Sequence, residues 1–126
     1  MSYAISIPIV NENDRRLRNK VLALYKESNC ERISAILRYL LGLSTAELLH
    51  LSPEVVMHDV ASFEKSCPKH APRSREPGIL AARVSPLTFA AITLQQSIKG
   101  YQRPSMAARE LLHKGLELAE KQRKAA

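Results

Sequence analysis

The same order of elements is written twice in this chain. A short alternating stretch leads into a helix, a tight turn and a second helix. The first copy begins at Ile5, Ser6, Ile7, Pro8 and Ile9 and runs to about residue 43; the second begins at Ile79, Leu80, Ala81, Ala82, Arg83 and Val84 and runs to about residue 122. A lone strand with two helices cannot close a core. Two copies can pair strand to strand and bury four helices beneath the ribbon. The predicted fold class is therefore mainly α with a two-stranded antiparallel β-ribbon. At 126 residues, the chain suits one domain, or two small units sharing a core. The expected segments are a first unit at 1–43, extra helices at 44–66, a linker at 67–78 and a second unit at 79–126.

Within the first strand Ile5, Ile7 and Ile9 point one way and Ala4, Ser6 and Pro8 the other. Pro8 lacks a ladder donor, so it belongs near the strand end. Asn11 and Asn13 are candidate N-caps. Leu17, Val21, Leu24 and Tyr25 then share a helix face, and Arg15, Arg16, Arg18 and Lys20 lie mostly elsewhere, as a solvated face would. Ser28, Asn29 and Cys30 read as the turn, and Ile33, Ile36, Leu37, Leu40 and Leu41 mark the second helix. Ser44, Thr45, Ala46 and Glu47 have capping-box spacing, and Ser52 before Pro53 is a cap followed by proline. These signals predict a short helix near 45–50 and another near 53–65, with no counterpart in the second copy. Three prolines and a glycine mark the linker.

In the second copy Leu80, Ala82 and Val84 share one side of the strand, and Ile79, Ala81 and Arg83 the other. Ser85 and Pro86 open a helix. Its expected face is Leu87, Ala91, Leu94 and Ile98, with Phe89 and Ile92 on an adjacent row. Gly100 ends it. Tyr101, Gln102, Arg103 and Pro104 form the turn, and Ser105 is expected to cap the last helix. Ala108, Leu111, Leu112, Gly115, Leu116 and Ala119 form that helix's buried face, and the tail after Glu120 is expected to fray. Gly115 costs roughly 1 kcal/mol against alanine in a helix interior; either another helix approaches it closely or the chain tolerates a defect.

The basic excess bears on partners. There are 19 Lys+Arg against 12 Asp+Glu, a formal charge of +7, which favours polyanions through counterion release. Residues 79–126 carry 8 basic and 3 acidic side chains, and residues 1–52 carry 7 and 5. The two halves are expected to grip a phosphate backbone unequally. Two cysteines, Cys30 and Cys67, do not make a disulfide framework. Met1 leads into a strand and not into a basic-then-apolar signal, and no apolar run approaches the ~20 residues of a membrane span. The expected setting is the cytoplasm.

Strand, helix, turn and helix, with Ser105 just ahead of Met106, Ala107, Ala108, Arg109, Glu110, Leu111 and Leu112, resembles the ribbon-helix-helix superfamily (MetJ/Arc-like). The resemblance is clearest over residues 81–119. It is weaker over 2–43, where the first helix is longer and Pro8 interrupts the strand. Two units in one chain look like a tandem pseudodimer, similar to the VirC-type protein of T-DNA transfer and the TraY-type relaxosome proteins. The resemblance implies sequence-specific binding of double-stranded DNA, with the ribbon in the major groove. It implies base contacts from Ala4, Ser6, Ala81 and Arg83. It places phosphate contacts at the second helices' N-termini, from Ser105 with Arg103 and Lys99, and from Arg32 and Ser34.

Arg83 is the strongest base-contact candidate, because a guanidinium bonds guanine O6 and N7 together; otherwise it is a strand-surface charge answering Glu76 or Glu110. Ser6 is a weak base contact or a solvated strand residue. Ala4 and Ala81 can touch only a thymine methyl. Such a ribbon departs from the family's long polar side chains, so specificity is modest or carried by DNA shape. Ser105 can also cap without DNA. Glu31 would repel phosphate near Arg32.

Cys67 and His70 with His50 and His58 lack a standard zinc spacing, and His113 reads as a surface residue. No metal, cofactor or enzymatic chemistry is expected. The function expected is that of an accessory protein in plasmid or T-DNA transfer, helping a relaxase or another DNA-processing protein. The chain would act as a single molecule that can assemble on adjacent half-sites. Alternatives are a transcriptional repressor of the same fold and a helical protein–protein adaptor. An adaptor would cover the strand face and use the helices at 45–65.

Overall fold

The computed structural model describes residues 3–28, 32–67 and 78–125. Their elements run β1 (Tyr3–Pro8), α1 (Glu12–Glu27), α2 (Ile33–Leu49), α3 (Pro53–Ser66), β2 (Ile79–Val84), α4 (Pro86–Lys99) and α5 (Pro104–Ala125). The turn expected at Asn29 and Cys30, and residues 68–77 of the expected linker, lie outside the described residues.

The chain is mainly helical with one two-stranded sheet. β1 and β2 pair antiparallel from Tyr3 opposite Val84 to Pro8 opposite Ile79. Alternation decides which face is buried. Ile5, Ile7, Leu80, Ala82 and Val84 turn inward onto one core, which also takes Leu17 and Val21 of α1, Leu37, Leu40 and Leu41 of α2, Ile92 of α4, and Leu111 and Leu112 of α5. Pro8 is the last residue of β1, where its missing donor breaks no ladder.

The two strand-helix-helix segments interlock. α2 packs on α5 at the centre, α2 also lies against β2, and α5 lies against β1. Each second helix thus supports the other segment's strand. At the α2–α5 crossing Gly115 faces the Leu40 carbonyl, and a Cβ there would collide with it. Close helix approach is therefore why glycine stands at 115. Tyr3 stacks on Phe89 with ring centroids 4.1 Å apart, joining β1 to α4.

Four local expectations need correction. First, α2 does not stop before residue 45 but runs unbroken to Leu49. The apparent capping box is interior helix: the Ser44 and Thr45 hydroxyls donate to the Leu41 carbonyl at 3.0 and 2.7 Å. The helix ends at His50, left-handed at φ 55°. The helix expected near 53–65 is α3, and the short one expected near 45–50 is the end of α2. Second, Ser105 does not cap α5, which begins at Pro104 with Arg103 before it. Third, the tail is helical to Ala125. It is held by Arg123 paired with Glu27 at 3.0 Å and by Tyr39 donating to Gln122 at 3.2 Å.

Fourth, the buried face of α4 is Thr88, Ala91, Ile92 and Gln95. Leu94 and Ile98 are exposed. Polar Thr88 and Gln95 take inward places because each finds a partner there. The Thr88 hydroxyl accepts from the Ser85 hydroxyl at 3.4 Å, and the Gln95 amide donates to Glu110.

Candidate nucleic-acid interface

The outward face of the ribbon carries six side chains in three facing pairs: Ala4 with Arg83, Ser6 with Ala81, and Pro8 with Ile79. All six are exposed. The four residues expected to contact bases are therefore on one surface, which no described element covers. Among the described residues the Arg83 guanidinium has no partner. Glu110, one of its expected alternatives, instead accepts from Tyr101 and Gln95, and Glu76 lies outside the described residues.

The two second helices begin alike. Ala35 N–H donates to the Arg32 carbonyl and Met106 N–H to the Arg103 carbonyl, each at 3.2 Å. Ser34 and Ser105 are the second residues of their helices. One turn further in, Arg38 and Arg109 occupy matching places. Arg38 is 4% exposed. Its Nη1 donates to the Arg83 carbonyl at 3.3 Å, and its Nε lies 3.8 Å from the Glu64 carboxylate. Arg109 Nη2 donates to the Pro8 carbonyl at 3.2 Å, and its Nε lies 3.0 Å from Asp14. Buried Asp14 also accepts the Val10 N–H at 3.2 Å. Each arginine thus ties its helix start to the other segment's strand.

These clamps escaped sequence reasoning although a signal was present. Residues 32–41 and 103–112 share Arg-x-Ser-x-x-x-Arg-x-Leu-Leu: Arg32, Ser34, Arg38, Leu40 and Leu41 answer Arg103, Ser105, Arg109, Leu111 and Leu112. Aligning the copies by motif instead of by hydrophobic pattern finds them.

The expected phosphate-contacting residues fall into two groups. Arg32 and Ser34 line a groove of about 230 Å³ together with Ala4, Ser6, Ala81 and Arg83. Lys99, Arg103 and Ser105 sit at the α4–α5 turn, beyond the Pro8 end of the ribbon that Arg109 holds. Gly100, left-handed at φ 68°, makes that turn. Glu110 pins it by accepting from the Tyr101 hydroxyl and the Gln95 amide. The Tyr101 hydrogen bond, then Gln95 and the Lys99 charge, hold the Glu110 carboxyl below the usual range against the opposite pull of burial. The same bond raises the Tyr101 phenol. Arg15 and Arg16 are exposed and pair with Glu12 on their own helix, as a solvated face does.

His113 is half-buried, which corrects the expectation of a surface position. Burial first, then the charges of Lys20 and Arg109, lower its pKa against Asp14 and Glu117. Among the described residues no three His, Cys, Asp or Glu side chains gather as metal ligands; His70 lies outside them. An open, mainly apolar groove of about 840 Å³ runs between α1, α2 and α3, lined by Leu24, Ile36, Tyr39, Met57 and Val60 among others. No helix among the described residues is long and apolar enough to cross a membrane. Comparison with protein-family models, with curated proteins and with solved structures finds no match to this chain.

Proposed function

We propose that this chain is a tandem ribbon-helix-helix pseudodimer that binds double-stranded DNA by inserting β1 and β2 into the major groove. One observation carries the reading. Among the described residues the ribbon face is uncovered, bears an unpartnered guanidinium and is flanked at its two ends by the starts of α2 and α5. A two-stranded ribbon fits the major groove, and helix N-termini suit phosphates. Arg83 reads bases, with Ser6, Ala4 and Ala81 beside it. Arg32, Ser34, Lys99, Arg103 and Ser105 meet the backbone. Arg38 and Arg109 position the ribbon relative to those helix starts.

Two units in one chain favour an accessory role in plasmid or T-DNA transfer, acting in the cytoplasm beside a relaxase or another DNA-processing protein. Neighbouring copies would occupy adjacent half-sites. A repressor of the same fold would bind DNA the same way; bound sites beside promoters instead of a transfer origin would favour it. The apolar groove under α3 favours an adaptor as the second reading.

Mobility-shift titrations across salt separate DNA binding from the adaptor. Affinity is expected to fall with a log–log slope of roughly −3 or steeper, as several backbone contacts require. Arg83→Ala should cost about 1–3 kcal/mol on a preferred duplex and much less on random DNA. No duplex binding at low salt would refute the proposal. Equal losses on both duplexes would make Arg83 a phosphate contact.

A further inference from the structure

The outward face of the ribbon has two unlike ends. At one end Arg83 stands opposite Ala4, beside the start of α2 and the end of α3, since Arg32, Ser34 and Cys67 line the same groove. At the other end Pro8 stands opposite Ile79. Ile79 is 51% exposed, and Val10 just beyond β1 is 69% exposed. Neither outward side chain at this end can donate or accept a hydrogen bond. Sequence reasoning placed Ile79 and Pro8 on the outer face but gave them no role.

The clamps show how far the two strands depart from equivalence. Arg38 grips the Arg83 carbonyl and Arg109 the Pro8 carbonyl. The supporting helices thus treat Arg83 and Pro8 as matching positions, and Ala4 then matches Ile79. The backbone frame is nearly two-fold, yet its outer side chains are not. One end presents a cation with paired donors and the other an apolar surface. In the major groove guanine offers two acceptors to a guanidinium, and the apolar feature of a base pair is the thymine methyl.

Resting on the reading of groove insertion, we propose that the ribbon recognises an asymmetric duplex site. Guanine lies under Arg83, and thymine methyls lie under Ile79 and Pro8. Ile79 and Arg83 are four residues apart on one strand, about 13 Å at strand rise, or roughly four base-pair steps. The chain therefore sits on DNA in a single orientation, with α3 always toward the guanine end. Ile79 is a specificity-determining residue.

Selecting bound duplexes from a random pool with the full chain tests this. A non-palindromic consensus is expected, with guanine and thymine about four base pairs apart. Replacing those thymines with deoxyuridine removes the methyl and nothing else. It should weaken the wild-type chain about fourfold per methyl, the buried-methylene increment expressed as an affinity ratio. It should weaken Ile79→Ala less, because only the methyl under Pro8 then still counts, and Ile79→Val, which keeps a β-branched strand residue, should fall between. Replacing the guanine with 7-deazaguanine should weaken wild type but not Arg83→Ala.

A palindromic consensus overturns the proposal. So does an equal deoxyuridine penalty in wild type and Ile79→Ala, or salt-sensitive binding that enriches no sequence; in those cases groove binding itself still stands. A chain that binds no duplex at any salt overturns the parent reading as well.

Discussion

Gly115 turns on the difference between a hydrogen and a methyl. Helix propensity alone favours alanine there by roughly 1 kcal/mol. The Leu40 carbonyl occupies the space that a Cβ would need, and overpacking against a neighbouring backbone typically costs 1–3 kcal/mol. Gly115→Ala is therefore expected to lower stability by about 1–3 kcal/mol, read as a reduced urea midpoint; an increase would show that the α2–α5 crossing is looser than described. The glycine itself was visible in the sequence, with close approach as one of two explanations. Choosing between them required the position of α2. Arg38 and Arg109 carry the same lesson. A repeated motif marks both, but their bonds run to strands 45 and 101 residues away along the chain, a distance no local pattern encodes.

At the scale of elements, both strands and all five helices followed from periodicity and from proline and glycine punctuation. The failures came where side-chain chemistry had two outlets. Ser44 and Thr45 have capping residue types, yet inside a helix their hydroxyls can bond back to the preceding turn. The chain does that because α2 is covered on several sides by α3, α5 and β2. Capping strength also differs between starts of similar appearance. The Asn11 side chain accepts the Asp14 N–H at 2.8 Å, whereas Ser52 makes no side-chain cap bond. Asn11→Ala should thus cost about 1 kcal/mol and Ser52→Ala only a few tenths, compared by denaturant titration. Equal losses would contradict the cap geometry. On α4 the apolar stripe through Leu94 and Ile98 resembles a core face, but the face that meets α5 carries Gln95, whose partner Glu110 belongs to another helix.

For the whole molecule, the inner faces of β1 and β2 close over one core drawn from both strand-helix-helix segments. Neither segment can bury its apolar face alone, and each strand rests on the other segment's second helix. Unfolding should therefore be one cooperative transition, with circular dichroism and tyrosine fluorescence reporting the same midpoint. A fragment of residues 79–126 should lack stable helix by itself. Two separated transitions, or a folded fragment, would contradict the shared core.

The amino-acid order by itself determined which residues alternate, which segments are helical, and which side of each strand is apolar. These are properties of neighbours in the chain, governed by backbone geometry and the period of the pattern. Tertiary structure alone decided the pairing register, and with it that Arg83 stands over Ala4 while Ile79 stands over Pro8. It also decided which arginine grips which strand, and that α3 lies at one end of the ribbon. Those outcomes depend on contacts between residues far apart in sequence, where the energy of packing one shared core selects among arrangements that local pattern leaves equivalent.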